Sequence, residues 1–550
     1  MGGFFFYFCI RIMKLGSFKN IALKDRKKFL FYYILILVIP ALFINLGLLP
    51  LILDEATRAN VALEMMYSGN YIVPTINGEF YYNKPPLFNW IQILFVRLTD
   101  SNSELSFRLP VVISLILFCL TIYQTQKREG GRVVALFSAL AFLTCGRILI
   151  YDSLRGLIDI TFSWVIYLIF WTIYSYGKKK KFLNLFLVSY FLATLAFLMK
   201  GLPALVFLGI SLLVYFTYTR QFKKLFSLSH LAGFVFFAII IGSYFLAYSQ
   251  YNSLAIYFET LWSESSKRTF LDNSLWDSIK HLFIFPADFI YHFLPWTVLI
   301  FVFFLKDSGK MIRQNGFSSF AVLIFISNII VYWVSPAIFP RYLFMFLPLL
   351  FYVLFYIYVH SGESFFIKRF FHPMVIFLGI LITALIILIP VIADHELYDM
   401  FFVKYIIVLI ITAPVFYFMI KLRQKVLILV AFLLVARIAF NLFVLPDRLA
   451  SGTALYQKNG ALVAGELTRS EPLFVYEDTK IHHASTYYIT RTRGEVLERW
   501  HGEALPGYYY ITEKEDLKNL PPHQLIHSFE TRIEALRLYL VRIEKKKKGE

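Results

Sequence analysis

A continuous apolar run at residues 29–53, FLFYYILILVIPALFINLGLLPLIL, separates the basic segment 24–28, KDRKK, from the acidic pair Asp54-Glu55. A helix needs about 20 apolar residues to cross the hydrocarbon core of a bilayer, so this run predicts a membrane span at residues 31–51. Positive charge before the run orients the helix with its N-terminal end in the cytoplasm. We therefore expect the acidic pair to lie at the outer surface of the membrane.

The rest of the chain continues this pattern. Of its 550 residues, 59% are hydrophobic, 19% are aromatic and 16% are charged, which is too apolar for a soluble protein of this length. Hydropathy predicts an all-α polytopic membrane protein with about thirteen transmembrane helices. The predicted spans are 31–51, 106–124, 132–150, 155–176, 182–199, 202–218, 229–248, 284–305, 317–335, 340–359, 371–391, 402–420 and 425–445.

The net charge of +19 agrees with membrane topology, because Lys and Arg accumulate in cytoplasmic loops. No nucleic-acid-binding module accompanies the charge, so nucleic-acid binding is not predicted. Basic residues occur in alternate loops, which places the N-terminus in the cytoplasm and, after an odd number of spans, the C-terminus in the periplasm. The basic loops carry Lys127-Arg128, Lys178 to Lys181, Lys223-Lys224, Lys306 with Lys310 and Arg313, Lys368-Arg369, and Lys421 with Arg423 and Lys425.

Three regions follow from the predicted spans: a cytoplasmic tail at 1–30, a membrane domain at 31–445 and a C-terminal domain at 446–550. Two outer loops, 51–106 and 250–283, are long and rich in aromatic and charged residues, as functional loops often are. Short apolar runs separated by turn residues predict a small α/β fold for the C-terminal domain. No cleavable signal peptide is predicted, and the start of translation, at Met1 or Met13, stays open.

The first outer loop opens with ionisable residues at the membrane boundary. Such charges are often merely solvated, but here an acidic pair directly follows the span and Arg58 lies one helical turn after Asp54, a spacing that brings the two side chains together. Further along, Lys84 precedes Pro85 and Pro86. The prolines stiffen the backbone in an extended form, so the ammonium of Lys84 can be directed at an anion.

Five motifs of this loop carry a family resemblance: Asp54-Glu55, Glu64-Met65, SGNYIVP at 68–74, Asn77-Gly78 and KPPL at 84–87. They resemble the first loop of bacterial aminoarabinose transferases, members of the wider protein-mannosyltransferase-like superfamily of integral-membrane glycosyltransferases with the GT-C fold. The helix number, the long outer loops and the outer C-terminal domain agree with that family. The resemblance implies the GT-C fold and sugar transfer from a polyprenyl-phosphate donor in the bacterial inner membrane.

Four later segments also match the family, all on the outer side of the predicted topology. They are LRGLID at 154–159, which resembles the second acidic site; Lys200-Gly201; the long-loop motif at 264–268 followed by Leu294-Pro295-Trp296; and PRYL at 340–343, which resembles the tyrosine motif.

The resemblance implies roles that suit the chemistry of these residues. The leaving group is a phosphate, whose developing charge is stabilised by nearby cations, and a carboxylate orients or deprotonates the acceptor oxygen. Asp54 is the first choice for this carboxylate and Asp159 is the second. One activating carboxylate without a covalent intermediate implies inversion. Candidate ligands of the donor phosphate are Lys84, Arg58, Lys200 and Arg268, and further site candidates are Glu55, Tyr82, Glu264 and Tyr342.

Each candidate also has a purely structural interpretation. Lys200 could snorkel to the membrane interface, and Asp159 could pair with Arg155, four residues earlier. Arg268 could be a solvated loop charge, and Tyr342 could be an interfacial aromatic. Asp152 is a rival to Asp159 as the second carboxylate.

Two positions depart from the family pattern. Thr57 stands where these transferases usually have an arginine directly after Asp-Glu-Ala, so that the arginine of this chain is Arg58. Ser265 stands where the long-loop motif often has histidine, which weakens the case for a metal site there. No obligatory cofactor is predicted, although a divalent cation stays open, and the sugar is left unassigned.

Other functions are compatible with parts of this pattern. The acceptor could be lipid A, another envelope glycan or a protein, as in a protein O-mannosyltransferase-like enzyme. A transporter or flippase of lipid-linked glycans would place ionisable residues near the membrane midplane and often show inverted repeats, whereas here they cluster at the outer ends of the spans. A non-catalytic scaffold would leave the combination of Asp54 and Lys84 unexplained.

The three cysteines, Cys9, Cys119 and Cys145, lie in apolar surroundings without metal-ligand spacing. We expect their joint replacement by Ser or Ala to leave sugar transfer largely unchanged, because none lies in a motif. The measurement is transfer by the purified triple variant. A normally expressed but inactive variant would contradict it.

Overall fold

A computed structural model describes residues 23–266, 275–336, 338–362, 364, 366–422, 424–531 and 536–545. The chain forms two compact units. The first combines the described residues up to Ile44 with His372–Phe440, and the second combines Asn45–Phe371 with Asn441–Glu550. The second unit contains both the outer loops and the C-terminal domain, and therefore every described candidate site residue.

Long apolar helices dominate the structure. Within the described residues, nine helices are long and apolar enough to cross a membrane, and a bent pair makes a tenth candidate. This confirms a polytopic all-α membrane region. Its helices are α1 (Leu23–Phe43), α2 (Asp54–Ser68), α3 (Leu87–Thr99), α4 (Glu104–Leu143), α5 (Gly146–Ile150), α6 (Asp159–Lys178), α7 (Phe182–Lys200), α8 (Pro203–Tyr218), α9 (Leu228–Tyr248), α10 (Leu254–Ser266), α11 (Leu275–His292), α12 (Ser308–Gln314), α13 (Gly316–Trp333), α14 (Leu347–His360), α15 (His372–Ile392), α16 (Phe401–Lys421), α17 (Lys425–Ala439) and α18 (Leu445–Ala450).

Two predicted stretches differ from straight, separate spans. The predicted span 284–305 is bent by 119° between Ile279–His292 and the 3-10 helix Trp296–Phe304, where Pro295 cannot donate the backbone hydrogen bond that a continuing helix needs. The predicted spans 106–124 and 132–150 are joined in α4, which is kinked at Gly131 with φ 82° and ψ 170°. A residue with a Cβ rarely adopts this conformation, so glycine allows the chain to turn without a loop.

The first outer loop is itself structured. α2 and α3 flank a small antiparallel hairpin of β1 (Thr75–Ile76) and β2 (Glu79–Phe80). Asn77 and Gly78 connect its strands with φ of 54° and 75°. Two successive positive φ values are typical of the type I′ turn, for which Asn-Gly is the preferred sequence. Hydropathy could not reveal α2, because its first turn is acidic and its apolar residues do not form a span.

The C-terminal domain has the α/β fold that its composition predicts. Two helices, α19 (Thr453–Leu467) and α20 (His483–Arg493), share a hydrophobic core with a five-stranded sheet. Its strand order is β4-β3-β5-β7-β6, in which β3 runs parallel to β4 and β5 while the β5–β7 and β6–β7 pairs are antiparallel. The strands are β3 (Leu473–Tyr476), β4 (Glu498–Trp500), β5 (Tyr509–Thr512), β6 (His523–Glu530) and β7 (Arg537–Ile543).

Glu104, in the first turn of α4, connects this domain to the membrane helices. Its side chain is buried and accepts hydrogen bonds from Lys458 Nζ at 2.5 Å, Tyr488 Oη at 3.1 Å and Arg491 Nη1 at 3.2 Å. Since all three donors belong to α19 or α20, one buried carboxylate fixes both helices to the start of α4.

We expect Glu104→Ala to loosen the C-terminal domain, because it removes the acceptor of Lys458, Tyr488 and Arg491, and a hydrogen bond to a charged group contributes about 1.5–3 kcal/mol. Proteolysis within residues 446–550 should accelerate. The control is Glu466→Ala, which removes an exposed pair with Arg469 worth about 0–1 kcal/mol. Equal proteolysis rates for the two variants would contradict the role of Glu104.

Candidate functional site

A polar cavity of about 110 Å³ lies where the ends of several helices meet the first outer loop. Among the described residues, its wall contains four cations and two carboxylates, an unusual density of charge at the end of a membrane bundle. Its lining residues are Asp54, Arg58, Tyr81, Asn83, Lys84, Leu157, Ile158, Asp159, Lys200, Arg341 and Tyr342.

Asp159 forms the buried centre of this charge cluster. It is the first residue of α6, and its carboxylate contacts Lys200 Nζ at 2.5 Å and Arg341 Nε at 3.2 Å. Both Asp159 and Lys200 have side chains less than a tenth exposed. Arg155 instead lies over the ring of Tyr151, 4.1 Å from its centroid. Asp159 therefore pairs with Lys200 and Arg341 and not with Arg155. Lys200 forms a buried ion pair within the protein.

Asp54 lies at the open side of the cavity. It is the first residue of α2, and its side chain is 68% exposed although Oδ2 accepts from Arg341 Nη2 at 2.8 Å. Arg341 thus bridges an exposed and a buried carboxylate. Because the exposed carboxylate keeps most of its surface in contact with solvent, it is the one that an incoming molecule can reach.

Arg58 contributes a cation that is only partly satisfied. Its Nη2 donates to Tyr81 Oη at 2.5 Å, and Arg58 is only 7% exposed. The Nη1 atom is buried and has no hydrogen-bond partner among the described residues. A buried donor without a partner is costly, so Arg58 is prepared to bind an oxygen anion in the cavity. The predicted pairing of Arg58 with Asp54 is replaced by the contact with Tyr81.

Two further site candidates lie behind or beside the cavity. Glu55 is buried and accepts from Arg108 Nε and from the Gly156 amide, both at 2.7 Å, so it fixes the start of α2 against α4. Tyr82 Oη accepts from Asn252 Nδ2 at 2.9 Å and is not among the described residues of the cavity wall. Arg268 and the side chain of Glu264 lie outside the described residues.

The lining also includes residues that the sequence did not single out. One of them is Arg341, which contacts the carboxylates of Asp54 and Asp159. Its neighbour Tyr342 was a predicted candidate, and Lys200 Nζ lies 4.1 Å from the centroid of its ring. The motif PRYL contained Arg341, but nothing in the spacing distinguished it from the tyrosine. Tyr81 and Asn83 lie just before the KPPL motif and were assigned no role.

The rival carboxylate, Asp152, is buried next to the cavity rather than in its described wall. Its Oδ2 contacts Arg147 Nε at 2.7 Å, and its Oδ1 has no partner among the described residues. Burial raises the pKa of Asp152 to about 6, with Arg147 opposing the rise. Asp152 therefore pairs with Arg147 outside the cavity wall, and it is less strongly ionised than an exposed aspartate.

The charges of the lining show what the cavity can bind. Arg58, Lys84, Lys200 and Arg341 contribute four positive charges, and Asp54 and Asp159 contribute two negative charges, which leaves a formal +2. A phosphate dianion would neutralise this excess, and cations held in fixed positions suit it well. Within the described residues, no three His, Cys, Asp or Glu side chains are grouped to hold a metal ion.

Comparisons with known proteins show which sequences and folds this chain resembles. The model of the dolichyl-phosphate-mannose-protein mannosyltransferase family matches residues 83–245. An uncharacterized protein of Aquifex aeolicus is 28% identical over 306 residues, covering 54% of this chain and 59% of that protein. An undecaprenyl phosphate-alpha-4-amino-4-deoxy-L-arabinose arabinosyl transferase of Proteus mirabilis is 26% identical over 323 residues, covering 53% and 57%. The chain thus aligns with less than two thirds of either relative.

Two solved structures share the fold over nearly the whole chain. ArnT from Cupriavidus metallidurans bound to undecaprenyl phosphate has a TM-score of 0.68 at 18% identity, covering 92% of this chain and 97% of that one. Its apo state has a TM-score of 0.66 at 17% identity, covering 94% and 98%. These matches confirm the predicted GT-C fold and, with the sequence relatives, the resemblance to aminoarabinose transferases.

We expect Asp159→Asn to lower the melting temperature of the purified protein, because the neutral amide leaves the buried Lys200 without its carboxylate and leaves Arg341 with Asp54 alone. Loss of one partner of a buried ion pair costs about 3–5 kcal/mol. The matched control is Asp54→Asn, whose largely exposed side chain should change stability little. Equal melting temperatures for the two variants would show that Asp159 does not hold the cation cluster together.

Proposed function

We propose that this chain, which has the GT-C fold of ArnT, is an integral-membrane glycosyltransferase that moves a sugar from a polyprenyl-phosphate donor to an acceptor. The observation that carries the proposal is the cavity of net positive charge with one exposed carboxylate, Asp54, at its open side. Such a cavity combines a place for a phosphate with a base that an acceptor can reach.

The cations would act on the leaving group. As the bond between the anomeric carbon and the phosphate oxygen breaks, negative charge grows on the phosphate. Lys84 and Arg58 both line the cavity, and Arg58 Nη1 has no hydrogen-bond partner among the described residues. Their positive charges can therefore stabilise the phosphate in the transition state. Lys200 and Arg341, already bound to Asp159, contribute a fixed positive field.

The two carboxylates would have different tasks because their surroundings differ. Asp54 is exposed and held by one contact from Arg341, which leaves an oxygen available to accept a proton from the acceptor hydroxyl. Asp159 is buried between two cations and supports their positions. Attack by the activated hydroxyl from the face opposite the phosphate gives inversion at the anomeric carbon.

The acceptor is proposed to be lipid A or another envelope glycan, reached from the periplasmic face of the bacterial inner membrane. This orientation follows from the alternation of basic loops, with the N-terminus in the cytoplasm and the C-terminus in the periplasm. The match of residues 83–245 to a protein mannosyltransferase family supports a protein acceptor as a second candidate.

The mechanism requires no obligatory cofactor, since the lining itself supplies the positive charge.

The direct test is incubation of the purified protein with labelled polyprenyl-phosphate sugars and candidate acceptors. We expect sugar transfer coupled to release of the free lipid phosphate. Movement of intact donor across vesicle membranes without cleavage would instead support a flippase.

For Asp54→Asn we predict a loss of transfer on the order of 10²–10⁴-fold, the range typical of a lost general base, with binding of polyprenyl phosphate retained. The control is Asp100→Asn, an exposed aspartate of the same outer loop. Activity of Asp54→Asn within a few-fold of the parent would remove Asp54 from the mechanism.

For Lys84→Ala we predict a higher apparent KM for the lipid donor together with a lower kcat, because the phosphate gains charge in the transition state. Lys84→Arg should recover only part of the activity, since a planar guanidinium replaces a compact ammonium. Lys514→Ala, an exposed lysine of the C-terminal domain, is the control. Normal turnover and normal binding of polyprenyl phosphate by Lys84→Ala would transfer the role to Arg58 or Lys200.

A further inference from the structure

The hairpin of the first outer loop connects the cavity to the C-terminal domain. Thr75 pairs with Phe80 and Ile76 with Glu79, and the Tyr81 amide donates to Pro74 O at 2.8 Å. Tyr81, Asn83 and Lys84 of the cavity wall follow directly. The placement of the hairpin therefore sets where the Lys84 segment begins.

On one side the turn of the hairpin is held by Glu64. This residue of α2 is fully buried, and its Oε1 accepts from the Asn77 amide at 2.7 Å and from Asn60 Nδ2 at 3.0 Å, while Oε2 accepts from the Gly78 amide at 3.3 Å. α2 also carries Asp54 and Arg58. The carboxylate thus fixes the turn to the helix that supplies two other residues of the cavity.

On the other side the same turn is held by the C-terminal domain. The Arg499 amide of β4 donates to Asn77 O at 2.9 Å, and Asn77 Nδ2 donates to Leu497 O at 3.1 Å. Arg499 Nε also contacts Glu79 Oε2 at 3.2 Å. Asn77 is only 3% exposed. The two-residue turn is therefore enclosed between α2 and β4, which are more than 400 residues apart in sequence.

We propose that the C-terminal domain positions the donor-binding loop: β4 holds the Asn77-Gly78 turn against Glu64, which makes Glu64, Asn77 and Arg499 positioning residues for Lys84. The inference rests on the proposed function, in which Lys84 binds the donor phosphate. Two-residue strands cannot maintain their geometry alone, because even longer isolated hairpins are marginally stable in water. A shift of about 1 Å in a binding residue can reduce turnover about 10²-fold.

Asn77→Gly tests the clamp with little disturbance of the backbone. Glycine accepts the left-handed conformation of position 77, so the variant removes the side-chain bond to Leu497 and little else. Arg499→Ala removes more: the contact with Glu79 and the bonds that Arg499 Nη1 donates to Glu477 O and Thr479 O, while the backbone bond to Asn77 O stays. Its control is Arg537→Ala, which removes an exposed pair with Glu530 on the same sheet. We expect faster deuterium exchange at residues 77–84 in both clamp variants, with transfer reduced about 10- to 100-fold in Arg499→Ala.

A cross-link separates positioning from general stability. A Cβ on Gly78 would lie 3.5 Å from Glu498 Cβ, within the Cβ–Cβ range of about 3.5–4.5 Å for disulfides. Because Gly78 has a φ of 75°, a cysteine there strains the turn, so the reduced form of the same variant is the baseline against which oxidation is compared. Gly78→Cys with Glu498→Cys, in a cysteine-free background that also carries Arg499→Ala, should regain slow exchange and transfer when oxidised. Both should be lost again on reduction.

The outcomes distinguish this inference from the proposed function. A parent protein that transfers no sugar from any polyprenyl-phosphate donor refutes the proposed function, and the exchange measurement then decides by itself whether the domain holds the hairpin. Unchanged exchange in Asn77→Gly and Arg499→Ala overturns the clamp. Restored exchange without restored transfer in the oxidised variant overturns its positioning role.

Discussion

The contact of Asp159 with Lys200 and Arg341 is the interaction on which the site depends. Four cations around a cavity of about 110 Å³ repel one another, and burial in a membrane protein makes each more costly. A buried carboxylate between two of them offsets this repulsion. The cluster can therefore exist before any ligand binds, and it keeps a formal excess of positive charge for an anion.

The fold brings these charges together by placing the ends of several helices around one cavity. Asp159 begins α6, Lys200 ends α7 and Asp54 begins α2, so each of these charges lies at the end of a helix and not within it. Carboxylates at helix N-termini and a cation at a helix C-terminus also match the helix dipoles. The first outer loop then adds Arg58 and Lys84 from the side, supported by the hairpin and the C-terminal domain.

Sequence patterns predicted the parts of this arrangement that are local. Hydropathy located the apolar helices. The motifs identified Asp54, Lys84, Asp159 and Lys200, and the helical spacing from Asp54 identified Arg58; all five residues line the cavity. The bend after His292 and the buried pairing of Glu55 with Arg108 depend on tertiary packing, which periodicity does not report. Arg341 also could not be identified from local patterns, because it bridges Asp54 and Asp159, which are nearly 300 and nearly 200 residues away in sequence. The contact of Asn77 with β4 is another long-range contact of this kind.

The central claim is that Asp54 activates an acceptor for direct displacement of a phosphate held by the cation cluster. Determination by NMR of the anomeric configuration of the product, with a donor of known configuration, tests it most directly. The account predicts complete inversion, with free polyprenyl phosphate released in equal amount. A product with retained configuration would require a covalent or otherwise different intermediate and would contradict the account.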